Sequence, residues 1–342
     1  MRWRRFSERR IRVGWAVRAS LTTPRLSFRA LSPAVAMRVA NVARWIDRND
    51  RGFRNELYRP GRRYDVVVFV KTMDERTREE AERIRGYGGR VVFDANVNYY
   101  EVWGEYDIPD TRPTEEQQRD AAEMTRLADR VVADSSYLLE VVRKVNPEST
   151  WIPDNVDTRL FHGPPRGGDG PLRLVWSGMA QKARPLLLIA DVLADLGDAE
   201  LVVVSNREPE ILPELRQAIP CSFFPFSLRR YARILRTCDV IVSPKRLVNG
   251  YELGHTEWKI TLGMAAGLPA VASPQRSYVE AIEHLGGGIV AEEGPEWREA
   301  FERLRDRSVR AEMGERARRT VAERYSTPVV ASAYRDLLVS LA

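Results

Sequence analysis

His255 and Lys259 stand four residues apart in the stretch YELGHTEWKITLGMAAGLPAVAS, residues 251–273. The stretch reads as loop, helix, tight turn and strand. Thr256 is a candidate N-cap, and residues 257–266 carry the Ala, Leu and Met of a short helix. Gly267 stands where a helix end takes positive φ, and Pro269 stops continuation. Both cationic side chains thus fall at a helix start, where the backbone dipole is already positive. A cation there is unfavourable by up to ~1 kcal/mol. Unpaired N–H groups, an imidazole and an ammonium belong together if an anion such as a diphosphate docks there. Glu257 offsets part of the conflict, and the other reading is a surface helix with a lysine in its first turn. Lys245 and Arg246 follow the strand at 239–243 and add two cations to the same crevice. A second group, Asp94, Asn96, Asn98 and Tyr99, sits in DANVNYY, just after the strand at 90–93. Carboxylate, amides and ring suit a hydroxyl-rich ligand; an ordinary Asx-rich turn would look the same.

These groups need strand ends to hold them. Residues 11–17 (IRVGWAV), 65–70 (DVVVFV), 90–93, 131–134 and 149–152 read as strands, the unbroken apolar runs as buried parallel ones. Residues 19–28 read as a polar loop. Helices are expected from Ser32 to Trp45, with Pro33 at the first position, and at 74–87 and 114–128. The alternation restarts after GPPRGGDG, residues 163–170, a linker by composition. Strands at 172–176, 199–204, 221–226, 239–243 and 270–272 then alternate with helices. Alternation in both halves implies two doubly wound α/β sheets of parallel strands, with ligands outside the strand ends. The expected division is 1–165, 166–325 and a closing segment 326–342.

The chain has 342 residues, 44% of them hydrophobic and 30% charged, which fits a two-domain globular protein. A net charge of +6 suits anionic ligands or an anionic membrane surface, and is too dispersed to indicate nucleic acid. The arginine-rich start, residues 1–10, is either a frayed terminus or a peripheral membrane contact. No apolar run approaches the ~20 residues of a membrane helix, and no signal peptide is recognisable. Two cysteines give no disulfide framework and no metal-type Cys/His spacing occurs, so a cytoplasmic setting is expected.

The second half resembles the nucleotide-sugar-binding domain of the retaining, GT-B-fold glycosyltransferases of the group 1, family-4-like set. The resemblance is carried by Trp176-Ser177-Gly178 with Lys182, by CDVIVSP at 238–244, by MAAGLPAVAS at 264–273, by GGIV at 287–290 and by the closing residues 316–338. The first half is similar through ADRVVADS at 128–135 and IPDNVD at 152–157. The resemblance implies two Rossmann-like domains facing a cleft, with the last helix crossing back to the first domain. It implies a nucleoside-diphosphate sugar held mainly by the second domain, an acceptor held by the first, and neither metal nor cofactor. The acceptor could be a carbohydrate, a lipid-linked molecule or a natural product. Lys182 resembles the phosphate-contacting lysine of the first loop. His255, Thr256 and Lys259 resemble residues that some subgroups place around the diphosphate. Gly178, Ser205, Asn206, Lys245, Arg246 and Glu257 complete the expected donor-binding set, and Lys182, His255 and Lys259 the catalytic one. The chain departs from the family where Met179 replaces an arginine. It departs again where Leu262 falls at the second of two glutamates, the one that holds the ribose. A non-catalytic binding subunit and a nucleotide-sugar epimerase are the alternatives to a transferase; the absence of Gly-x-Gly-x-x-Gly weakens a dehydrogenase reading.

Overall fold

A computed structural model describes residues 10–23, 26–32, 35–161 and 170–342. The basic start up to residue 9, Pro33, and the linker up to residue 169 lie outside the described residues, as does the expected boundary at 165.

The first sheet comprises β1 (Ile11–Ala16), β2 (Phe53–Leu57), β3 (Val66–Val70), β4 (Arg90–Ala95), β5 (Arg130–Ala133) and β6 (Ser149–Trp151), in the order β2-β1-β3-β4-β5-β6. The second comprises β7 (Leu172–Ser177), β8 (Ala199–Ser205), β9 (Cys221–Pro225), β10 (Val240–Ser243), β11 (Ala270–Ala272) and β12 (Gly288–Val290), in the order β12-β11-β10-β7-β8-β9. Every pairing is parallel. The central strands are buried on both faces, which is why VVVFV of β3 carries no alternation.

Two elements differ from expectation. The edge strand β2, FRNEL, has only two apolar residues, so it carries no β signal of its own. Its inward Asn55 is satisfied instead, accepting from Trp15 Nε1 at 2.9 Å and donating to Asp47 at 2.8 Å. The segment after β1 begins as a short helix, Arg18–Thr22, rather than a loop. The buried Ser20 hydroxyl bonds Val17 through both its N–H and its C=O, at 3.0 and 2.8 Å, and fixes that turn.

The last helix, Thr327–Leu341, returns to the first domain. Val330, Ala331, Tyr334 and Leu338 join a core with Trp15 of β1, Val68 of β3 and Ile46 of the Val42–Asn49 helix. The Tyr334 and Trp15 rings meet edge to face at 5.5 Å. Among the described residues no helix is long and apolar enough to cross a membrane.

Candidate active site

In each sheet the strand order reverses direction beside the first strand, and loops leaving on opposite sides open a crevice there. In the first sheet the loops after β1 and β3 bring Val17 and Lys71; in the second, those after β7 and β10 bring Gly178, Lys182 and Lys245. All line one cleft of about 740 Å³ between the sheets. The start of the helix Trp258–Ala265 closes the second-domain wall with His255, Thr256, Trp258 and Lys259.

Local chemistry fixes that wall. The helix N-cap is Glu257 and not the expected Thr256, which stands one residue earlier; Thr256 Oγ1 accepts from Trp258 N–H at 3.3 Å and donates to Asp154 Oδ2 at 3.1 Å, tying the helix start to the first domain. Gly267 ends the helix at φ +84°. A Cβ there would stand 2.5 Å from the Arg318 guanidinium, so glycine is required twice over. At Gly178 a Cβ would meet the Trp176 ring at 2.8 Å and Lys259 Nζ at 3.1 Å; the bare backbone is what lets the lysine reach the cleft.

The basic groups converge. Lys182 Nζ donates to Tyr251 Oη at 2.6 Å, lies 3.3 Å from His255 Nε2, and sits 4.9 Å from the Tyr251 ring centre. Lys259 Nζ stands 5.4 Å from the Trp176 ring centre and Lys245 Nζ 5.3 Å from that of Tyr278. The aromatic faces soften the positive charge without neutralising it. Burial and mutual repulsion lower Lys182 to about 7, burial lowers Lys259 to about 8, and both causes hold Lys245 well below its ordinary value. His255 is held far down by burial and by Lys182, Lys245, Lys259 and Lys71, so its ring is neutral at neutral pH. Among the described residues, Glu252 is the carboxylate that acts on all three of Lys182, Lys245 and Lys259. Three lysines sharing the one carboxylate of Glu252 leave an excess of positive charge, a receptor for an anion with several oxygens.

Of the residues expected from sequence, Gly178, Lys182, Asn206, Lys245, His255, Thr256, Lys259 and Asn96 line the cleft, and Leu262 lines it too. Asn206 uses its carbonyl oxygen to hold the first loop, accepting from Ala180 N–H at 2.9 Å. The others are placed elsewhere. Glu257 is fully buried, and neither carboxylate oxygen has a hydrogen-bond partner. Burial, with Asp154, Asp134 and Glu280 nearby, holds its carboxyl far above the usual range, so it supplies no charge to a ligand. Two residues of helix separate Glu257 from Lys259, a rotation of about 200°, and only one of the two can face the cleft. Arg246 turns away to pair with Glu105 at 3.0 Å and with Asp107. Ser205 is buried and donates to Asn206 Oδ1 at 3.1 Å.

In the first domain, Asp94 is fully buried and its carboxylate is taken up by Arg38 Nη2 at 2.7 Å and Tyr334 Oη at 2.6 Å. It is a structural partner of the returning helix and not a ligand group. Asn98 is buried as well and donates to Gly250 O at 3.2 Å across the domain interface. Tyr99 lies beside Tyr251 rather than in the lining.

Sequence reasoning passed over Lys71, Asp134, Asp154, Tyr251 and Tyr278, all of which line the cleft. The signal for Lys71 and Asp134 was present: each is the first residue after a predicted strand end or its last residue, where ligands sit.

Residues 173–306 match the family model described as glycosyl transferases group 1. No curated protein sequence matches the chain. In structure the chain is similar to sucrose-phosphate synthase from Thermosynechococcus elongatus, with a TM-score of 0.70 and 14% identity over 97% of this chain and 100% of that one. It is similar to Anabaena HepE, solved in complex with UDP-glucose, with a TM-score of 0.69 and 13% identity over 96% of this chain and 100% of that one. It is also similar to S. aureus TarM, with a TM-score of 0.59 and 12% identity over 80% of this chain and 55% of that one. At these identities the likeness is one of fold. The chain has the two-domain GT-B fold of these glycosyltransferases, and residues 173–306 within it match the group 1 glycosyl transferase family.

Proposed function

We propose that the protein moves a sugar from a nucleoside-diphosphate sugar to an acceptor hydroxyl, with the diphosphate held by Lys182, Lys245, His255, Lys259 and the start of the Trp258–Ala265 helix. The observation that carries this reading is the convergence of Lys182, Lys245, His255 and Lys259 on one cleft wall, where Lys182 Nζ lies 3.3 Å from His255 Nε2 and burial lowers Lys182 to about 7 and Lys259 to about 8 despite Glu252 nearby. A bound diphosphate would reverse that depression. Charge grows on the departing phosphate oxygen as the glycosidic carbon becomes oxocarbenium-like. Preorganised cations aimed at that oxygen are usually the largest single contribution to rate. In this reading they act in place of a metal ion, and no cofactor beyond the donor is needed. Retention is the outcome that the resemblance implies. HepE, of the same fold, was solved with UDP-glucose, and a nucleoside-diphosphate sugar is the matching donor class here. Leu262 in the lining gives the nucleotide an apolar contact in place of a carboxylate, which is the observation that favours the second reading, a binding subunit without turnover.

A thermal-shift panel of UDP, GDP, ADP and dTDP tests the donor site. At least one should raise the melting temperature, and the shift should vanish in Lys259→Ala. No response to any of the four would sink the reading. Donor hydrolysis then separates an enzyme from a binder.

A further inference from the structure

The acceptor proton has two destinations, the departing phosphate or a protein carboxylate. We propose that Asp134 takes it, at an acceptor-hydroxyl site completed by Asn96 and Lys71; this rests on the glycosyl-transfer reading above.

The placement follows from the sheet. β3, β4 and β5 are adjacent and parallel, with Val70 paired to Asp94 and Ala95 to Ala133. Lys71, Asn96 and Asp134 are the next residues on these strands, so they stand side by side at one sheet edge. All three line the cleft that Lys182 and Lys259 line from the other domain. Asp134 is 2% exposed, and its Oδ1 has no hydrogen-bond partner. An unpaired buried carboxylate oxygen costs free energy, and folding for stability alone would have given it a donor. The neighbouring carboxylates are already occupied. Asp94 is held by Arg38 and Tyr334, and Asp154 accepts from Arg38 Nη1 at 2.9 Å and from Thr256 Oγ1 at 3.1 Å. Lys71 carries φ +54°, a left-handed conformation costly for a lysine, at the same edge.

In the transfer step the bond from the acceptor oxygen to the anomeric carbon forms as the bond from that carbon to the phosphate oxygen breaks. The electron pair of the broken bond leaves with the diphosphate to the lysine wall. The acceptor O–H proton passes to the Asp134 carboxylate and is returned to water after product release. The charged groups facing Asp134 are Arg38, Asp154, Asp94, Lys71 and Glu257. Burial raises its carboxyl well above the usual range, Arg38 and Lys71 oppose this, and Asp154 and Asp94 add to it. A base raised in this way is stronger once ionised, and its ionisation appears as an acid limb in the rate profile.

The test uses the full chain, with UDP-, GDP-, ADP- and dTDP-glucose as donors and water as the acceptor. Asp134→Asn should lower kcat by ~100-fold or more, leave KM and the nucleoside-diphosphate thermal shift unchanged, and abolish the acid limb. Asp134→Glu should recover part of the rate with the limb displaced. An unchanged kcat, a change in KM alone, or an acid limb that survives in Asp134→Asn overturns the assignment while the transfer reading stands. No turnover by the wild type with any of the four donors overturns both. Loss of the thermal shift in both variants would mark Asp134 as structural and also overturns the assignment.

Discussion

Replacing Lys182 by methionine should make the empty protein more stable and weaken its response to nucleotide. Lys182 falls from 10.5 to about 7 in the fold. At pH 7 that drop corresponds to an upper bound on the order of 4–5 kcal/mol against folding. The side chain is half-buried, so solvent screening reduces the figure to roughly half. Methionine keeps the length and fills the space. It loses the 2.6 Å bond to Tyr251, a loss of about 1 kcal/mol. The net gain is on the order of 1 kcal/mol, or a rise in Tm of roughly 2–4 °C. The pH dependence has a fixed sign. The folded pKa lies below the unfolded one, so the unfolded chain takes up the proton first as pH falls from 10.5, and the folded chain follows only near 7. The wild type therefore loses stability across that window and no further below it. The variant lacks this slope, so its advantage should be greatest at pH 7 and shrink towards pH 10. Scanning calorimetry from pH 6.5 to 10, with and without UDP, GDP, ADP or dTDP, measures all of this. A variant less stable than wild type at pH 7, or one that keeps the full nucleotide response, would refute the reasoning.

Glu257→Gln should be tolerated and should raise stability at pH 8 relative to pH 5. The buried carboxyl is raised, so the wild type's contribution is full below 4.5 and declines as pH rises towards the folded value, while glutamine has no such decline; equal pH slopes in urea melts of the two proteins would contradict this. Asp94→Ala should cost about 3–5 kcal/mol by leaving Arg38 short of its partner and Tyr334 without an acceptor. Urea unfolding that shows a loss below about 1 kcal/mol would mean that the Arg38–Asp94 pair does not anchor the returning helix.

The architecture was legible because parallel strands buried on both faces write themselves as apolar runs such as VVVFV and LVVV, and because helix stops such as Gly267-Leu268-Pro269 are chemical. Strand β2 was not, since its register comes from Trp15 and Asp47 reaching Asn55 and not from its own residues. The cationic wall was readable because Lys182, Lys245, His255 and Lys259 each follow a strand end or start a helix. Of the first-domain group, Asn96 lines the cleft, whereas Asp94, Asn98 and Tyr99 do not. Asp94 and Asn98 have the right chemistry for a sugar, but Arg38, Tyr334 and Gly250, between 56 and 240 residues away, claim them first. Such pairings are tertiary and leave no local trace. The same holds for Glu257, whose neighbour Lys259 takes the cleft-facing direction.

The most direct test of the central claim is the proton balance of nucleotide binding. Titration calorimetry at pH 8, in buffers of different ionisation enthalpy, counts the protons exchanged. The diphosphate is fully ionised at that pH, since its last proton titrates near 6. Lys182 at about 7 is mostly neutral in the empty cleft and Lys259 at about 8 is half so. Binding should therefore take up protons, approaching one per diphosphate, and the uptake should fall in Lys182→Met. Binding with no exchange, or with release, would contradict an anion received by these depressed lysines.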